Sequence, residues 1–575
     1  MRQPFPDFDV HALARRSPAS RGPRRGRPAG DMNGESATAG AASAAITDSA
    51  STDAGELSSN LLCPSLGWLP PMCAVAVVLL TVLGGLRHHV KTTSQAQAAR
   101  SIYLMVNFFL VLNYTVVILD SYDLCLAVGL GIGGSGRMVG TYMLGFCAGA
   151  VLMWLFVRYR PNLWRDAPQN VLVAGLSFQL VGAAAYACVA QQASSSRERD
   201  PKDAFDTLGP LLKDLLPHAL IISRFVSGIG SGSCQQFYVS GMLHLTPVSD
   251  RSVHTGRWVF SGMIAIGLGP VLAAVLRQLE PCAGAHFELV GYAQIIAAIV
   301  SMVALKWLHP DLEDCEDCME SKYQQFTDED VFLTWENKIG ERWKQRLIVM
   351  GCLCMASLRA FGVSAIEVVI AMILEQQYDW AQRLTGLTIG GIFLGCIPVK
   401  LTHSHLSDRL AVTSWIRILV CIALMGSWLL FAPGRGVLPI DGALQLIIAG
   451  VIVFPTFYLS DALSSGLMHQ NVLPEVSLFD GNHAQLWYNL MQGMGRFLGP
   501  WLARWTVEAN GQDSFAFQQM LVTCIFIGIF ETLVQPFLKT QETKQAGFVL
   551  PKRGDSEYQA SESRGILSEV STESP

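Results

Sequence analysis

Charge is scarce in this chain. Lys and Arg number 41 and Asp and Glu 46 among 575 residues, so 15% are charged while 51% are hydrophobic. Soluble domains carry about a quarter charged residues, and the shortage points to a polytopic membrane protein. The formal net charge is -5, and no basic surface of the kind that grips phosphate backbones is present, which argues against nucleic acid as a partner. No G-x4-G-K-[ST] loop occurs, so ATP-driven pumping has no nucleotide cradle. The apolar runs hold no His cluster, no H-E-x-x-H and no Ser/His/Asp set, which argues against hydrolytic chemistry. Metal ligands are equally thin. The C-x-x-C of Cys315 and Cys318 lies in the acidic run 313–320 and supplies half a zinc site, so no metal or cofactor is expected. Cys73, Cys147, Cys352, Cys354, Cys396, Cys421 and Cys524 fall in apolar segments, where Cys behaves as a small hydrophobe.

What the chain does have is a succession of apolar runs near the roughly 20 residues a bilayer requires. The first covers 67–86 and stands alone before a polar linker. Six follow at 101–119, 138–157, 170–190, 216–241, 256–276 and 287–307. Six more fall at 347–373, 384–401, 411–432, 442–459, 485–505 and 515–537. The pattern predicts an all-α membrane protein of two six-helix bundles, 101–307 and 347–538, preceded by one extra transmembrane helix at 67–86. Residues 308–346 form a charged central loop. The Pro, Gly, Ser and Ala of 1–66 and the Ser/Glu-rich 539–575 read as disordered tails. Basic residues set the orientation. Arg158, Arg160, Arg165, Arg251, Arg257, Lys400 and Arg409 cluster with the central loop on the cytoplasmic side, and the extra helix then places the N-terminal tail opposite.

One pattern occurs twice, as Leu268-Gly269-Pro270-Val271-Leu272-Ala273 and Leu498-Gly499-Pro500-Trp501-Leu502-Ala503. Proline in a spanning helix removes a backbone hydrogen bond that the bilayer cannot replace. The copies fall in the fifth and eleventh of the twelve helices, as a duplicated, two-lobed transporter would place them.

Further motifs carry a family likeness. Arg224-Phe-Val-Ser-Gly-Ile-Gly-Ser-Gly232, and Ala265-x3-Gly269-Pro270-x2-Ala273-Ala274 with alanines for some glycines of an antiporter motif, resemble the major facilitator superfamily. Asp408-Arg409 resembles a remnant of its cytoplasmic loop motif, while Arg158-Tyr-Arg-Pro161 lacks the Asp. Within the superfamily, Tyr103-Leu-Met-Val-Asn107 and the stretch 228–270 are similar to SPX–major facilitator vacuolar phosphate carriers and related lysosomal members. The resemblance covers about residues 100–540. It implies a twelve-helix fold acting as a monomer in the bilayer, and a small solute moved by alternating access. Phosphate is one candidate. Two departures weigh against it: 66 residues are too few for an SPX domain, and Gln235 and Gln236 stand where a phosphate carrier is expected to be more basic. The membrane is left open: the loose acidic-dileucine pattern Glu562 to Leu567 adds slight weight to a vacuolar or lysosomal membrane, and the plasma membrane is the alternative.

Ionisable groups inside spans are expensive and therefore functional candidates. Arg224 could bind an anion or hold a facing carboxylate. Arg359 and Glu367, eight residues and about 800° apart on one helix, face neighbouring directions and are too distant to pair directly. Glu367 is the expected proton-coupling carboxylate, since the bilayer disfavours its charged form unless an Arg is close. Arg496 is a further intramembrane cation. Asn107, Asn113, Gln235, Gln236, Gln294 and Gln492 are candidate polar contacts. Asp120, where the first helix leaves the membrane, could gate or cap, with capping the expected role, and Glu531 is expected to be peripheral. A receptor or scaffold that keeps the fold without transport is the alternative, favoured if Arg224, Glu367 and Arg496 face packing contacts instead of a shared cavity.

Overall fold

The computed structural model describes residues 84–160 (except 86 and 89), 167–197, 210–246, 251–278, 287–310, 342–406, 410–431, 441–472, 478–479 and 481–538. The extra helix at 67–86 (residues 84 and 85 apart), both tails, Cys315 and Cys318, and Asp408-Arg409 lie outside them. The described residues form helices and no strand. Twelve are long: α1 (Gln95–Thr115), α2 (Gly131–Tyr159), α3 (Pro168–Arg197), α4 (Pro210–His244), α5 (Arg251–Gln278) and α6 (Glu288–Leu308) make the first lobe. The second lobe is α7 (Arg342–Gln377), α8 (Gln382–Leu406), α9 (Val412–Trp428), α10 (Gly442–Gln470), α11 (Gly481–Asn510) and α12 (Gln512–Leu538). A seven-residue helix, Ser121–Ala127, joins α1 to α2 outside the twelve spans.

Eight of these helices are long and apolar enough to cross a bilayer. The four below that threshold are α1, α4, α9 and α11. α9 has only 17 residues. The other three are diluted by polar side chains turned inward: Asn107 and Asn113 from α1, Arg224, Gln235 and Gln236 from α4, and Asn489, Arg496 and Arg504 from α11 are all buried. Turning those groups away from lipid and into the bundle is what permits them at membrane depth.

Within the first lobe α4 packs on α2 and α3; within the second, α7 packs on α11 and α10. The lobes meet along two seams, α2 with α11 and α5 with α8. Both copies of the Leu-Gly-Pro pattern lie in these seams, inside helices that continue through Pro270 and Pro500. The glycine faces its own lobe: a Cβ on Gly269 would lie 2.2 Å from Thr115 Oγ1 of α1, and one on Gly499 2.3 Å from Ser364 Oγ of α7. The proline carbonyl faces the other lobe: a Cβ on Gly386 would approach Pro270 O to 3.0 Å, and one on Gly136 would approach Pro500 O to 2.8 Å. One turn on, Gly390 meets Gly267 O at 2.8 Å and Gly140 meets Phe497 O at 2.7 Å. The seams share one register, since 136 and 140 become 386 and 390 on adding 250, and 267 and 270 become 497 and 500 on adding 230. Only residues without a Cβ let two helix backbones come this close, and van der Waals contact between them holds the lobes together here.

Candidate functional site

The seams close the bundle beyond the middle of α5 and α11, towards the side away from their N-terminal ends. Three polar contacts reinforce that side. Arg504 of α11 donates to Ser135 Oγ of α2 and, at 3.0 Å, to Ser121 Oγ. Gln382 of α8 donates to Asp123. Asp120 accepts from Arg277 Nε and Nη2 at 3.0 and 2.9 Å. The expected capping role of Asp120 is therefore corrected: it stands at the N-cap position of Ser121–Ala127, but its carboxylate makes no cap bond. A fixed guanidinium on α5 outcompetes the backbone amides for it.

Below this seal lies a cavity of about 60 Å³ between the lobes. At the space one water needs, it holds about four, the scale of a small solute. The first lobe lines it with Asn107, Tyr114, Tyr142, Gln235 and Trp258, among others, and the second with Arg359, Tyr458, Asp461, Tyr488, Gln492 and Arg496. Asn107 is held by a polar triangle: Tyr238 OH donates to its Oδ1 at 2.5 Å, Trp258 Nε1 donates to Tyr238 OH at 3.0 Å, and its own Nδ2 donates to the Trp258 carbonyl at 3.2 Å.

Two ion pairs stand at the second lobe's wall, with Arg359, Asp461 and Arg496 lining the cavity and Glu367 outside its lining. Arg359 Nη2 donates to Asp461 Oδ2 of α10, which also accepts from Tyr488 OH at 2.8 Å. Arg496 Nη1 stands 3.8 Å from Glu367 Oε2. Arg359 and Glu367 thus each find a partner on another helix, as their separation along α7 requires. The two pairs differ in kind. Asp461 is fixed by two donors, whereas neither Glu367 oxygen has a hydrogen-bond partner among the described residues. Arg496 also lies over the Tyr114 ring, 5.5 Å from its centroid.

Arg224 is fully buried but does not line the cavity. Its Nη2 donates to the Tyr114 carbonyl at 3.4 Å, and its guanidinium lies 4.6 and 5.9 Å from the ring centroids of Tyr142 and Tyr186. The facing carboxylate considered from sequence is not what it meets. Gln236 accepts from Asn489 Nδ2 across the lobes at 2.7 Å, and Gln294 donates to the Asn113 carbonyl at 2.8 Å. The Asn113 amide is buried away from the cavity lining. Glu531 sits on a π-helical turn, Phe530–Val534, and accepts from Arg417 of α9 at 2.6 and 2.7 Å, both side chains more than a third exposed. Asp461 is the functional candidate that sequence reasoning missed. The apolar run of α10 stops at 459, yet the helix continues to Gln470, and the buried Asp461 lies two residues past that limit.

Sequence and structure comparisons agree on one family. A model of the Major Facilitator Superfamily matches residues 138–500. No curated protein matches the chain. Among solved structures, a partially occluded inward-open form of the xylose transporter XylE from E. coli is similar over 80% of this chain and 100% of its own, with 13% identity and TM-score 0.51. A D-xylose-proton symporter covers 76% of this chain and 98% of its own at 12% identity and TM-score 0.52. XylE bound to 6-bromo-6-deoxy-D-glucose, a proton:xylose symporter, covers 76% and 94% at 12% identity and TM-score 0.54.

Proposed function

Because the chain belongs to the Major Facilitator Superfamily, whose members carry solutes across membranes rather than transform them, we propose that it is a proton-coupled secondary transporter of a small polar solute, an inorganic anion such as phosphate being one candidate. The two lobes rock about the cavity, the register-matched seams closing one side while the other gives access. The observation that carries the coupling is Glu367, a fully buried carboxylate whose ion-pair partner among the described residues, Arg496, also lines the cavity. Arg496 beside it favours the carboxylate form of Glu367; once a solute takes Arg496, the buried carboxylate loses that partner, and binding a proton is the cheaper outcome. Solute and proton then cross together. Two of the similar structures are proton symporters, but at 12% identity they lend the fold, and the coupling argument rests on Glu367.

Each copy encloses its cavity between its own lobes, which supports action as a monomer. The dileucine-like pattern in the C-terminal tail supports a vacuolar or lysosomal membrane. Of Arg224, Glu367 and Arg496, whose placement separates the two readings, Arg496 lines the cavity while Arg224 and Glu367 do not, so support for transport over the receptor reading comes from Arg496, together with Arg359 and Asp461 beside it. The test is uptake of labelled phosphate and other small solutes into proteoliposomes of the full chain, with and without an acid-outside gradient. The gradient should stimulate wild-type uptake and have no effect in Glu367→Gln. Gradient stimulation that survives Glu367→Gln would end the coupling proposal, and no uptake across a broad panel would transfer support to the receptor reading.

A further inference from the structure

The charges around the cavity do not balance. Arg224, Arg359 and Arg496 are three buried cations, and among the described residues two buried carboxylates, Asp461 and Glu367, stand with them. Asp461 is committed, since it accepts from both Arg359 and Tyr488. Glu367 faces Arg496 at 3.8 Å, too long for a hydrogen bond. Arg224 has no carboxylate partner among the described residues; a carbonyl and two tyrosine rings are its surroundings, and its Nε and Nη1 make no hydrogen bond. With both carboxylates charged, these five groups together carry one uncompensated positive charge. Buried charge of this kind is costly unless something neutralises it.

Geometry says where the neutralising group goes. Arg224 of the first lobe and Arg496 of the second both touch Tyr114, the former through its backbone carbonyl and the latter across its ring. Tyr114 itself lines the cavity. An anion beside Tyr114 thus sits in the field of both cations while hydrogen-bonding only the one that lines the cavity, Arg496. We infer that the site takes a monovalent oxyanion, bound by Arg496 next to Tyr114, with one proton passing from solvent to Glu367 and Arg224 holding the unpaired positive charge behind the site. This rests on the transport reading and adds the charge of the substrate and the stoichiometry.

The count has a consequence for energetics. With Glu367 ionised and the site empty, the five groups carry one positive charge. With a monoanion on Arg496 and a proton on Glu367 the total is the same. Loaded and empty carriers then move equal charge as the lobes rock, so transport is electroneutral. A neutral solute arriving with a proton would add one charge and make transport electrogenic. Arg224 here is a positioning residue, acting through the field it sets up and touching no substrate.

Binding separates this inference from transport. Titrating inorganic phosphate, nitrate and xylose into purified full-length protein, in two buffers of different ionisation enthalpy at acidic pH where dihydrogen phosphate predominates, gives affinity and protons taken up together. Phosphate or nitrate should bind with about one proton taken up, and Glu367→Gln should bind with none. Arg224→Gln should weaken anion binding on the order of tenfold without changing the proton count, and Arg224→Lys should restore it. If Arg224→Gln does not fold, an Arg224→Lys protein that binds anions as wild type while taking up one proton supports the assignment, and a loss of binding overturns it. In proteoliposomes, imposing a membrane potential should leave phosphate uptake unchanged. Xylose binding without anion binding overturns the inference and leaves transport standing, as does uptake driven by potential. No binding and no uptake of any of the three solutes removes both.

Discussion

The seams make the sharpest prediction, because their geometry supplies its own control. A Cβ on Gly390 would lie 2.8 Å from Gly267 O and 2.3 Å from Val271 Cγ2 of the opposite lobe, and one on Gly140 would lie 2.7 Å from Phe497 O. Ordinary contact begins at 3.4 Å, so the backbones must part by about 0.6 Å at Gly390 and 0.7 Å at Gly140. Overpacking of this kind costs about 1–3 kcal/mol. The strain exists only while the seam is shut, so it weakens the closed state by about 5- to 150-fold. Gly391, the next residue, has nothing within 4 Å of its would-be Cβ. A native reporter lies at the seal: Cys125 is fully buried, and burial pushes its thiol up to about 12, with Arg504 opposing. Opening that side exposes it and lets its thiol return towards the free value of about 8.5. The assay is the rate at which a membrane-impermeant maleimide labels Cys125 in full-length protein, followed by peptide mass spectrometry. Gly140→Ala and Gly390→Ala should accelerate labelling towards that range, and Gly391→Ala should match wild type. Equal rates for Gly390→Ala and Gly391→Ala would refute the idea that the seams hold the lobes shut.

Three further outcomes follow from the same contacts. Removing one member of the fully buried Arg359–Asp461 pair, by Asp461→Leu or Arg359→Met, should cost about 3–5 kcal/mol in thermal or denaturant unfolding, and the double variant should be less destabilised than either single one. Gly232→Ala puts a Cβ 1.9 Å from Phe146 O, a backbone atom that cannot turn aside, so α2 and α4 must separate; loss of folded protein in size-exclusion chromatography is the expected readout. Arg504→Ala removes two bonds to the first lobe, to Ser121 and Ser135, and should raise Cys125 labelling in the same direction as the seam variants.

Much of the architecture was legible in the chain because bilayer thickness fixes the length of an apolar run, and that length survives any packing. The duplicated Leu-Gly-Pro was legible for a similar reason: close helix approach demands small residues wherever it occurs. Asp461 was not, since hydropathy marks where a helix leaves the apolar layer and not where the helix ends. Asp120 was misread because a carboxylate at a helix start has the same local signature whether it caps the backbone or, as here, meets Arg277 from another helix.

The sequence by itself determined the class of machine: twelve apolar helices, two lobes and a repeat at equivalent places. Which cation meets which carboxylate was left to the tertiary structure. Helical periodicity gives the direction a side chain takes from its own axis, so it could separate Arg359 from Glu367, but it carries no information about the neighbouring helix. Only the packed bundle sets Arg359 against Asp461, Arg496 against Glu367, and Arg224 among tyrosines with no carboxylate beside it. That distribution depends on the relative rotation of helices from distant parts of the chain, which the small residues of the seams fix when the lobes close.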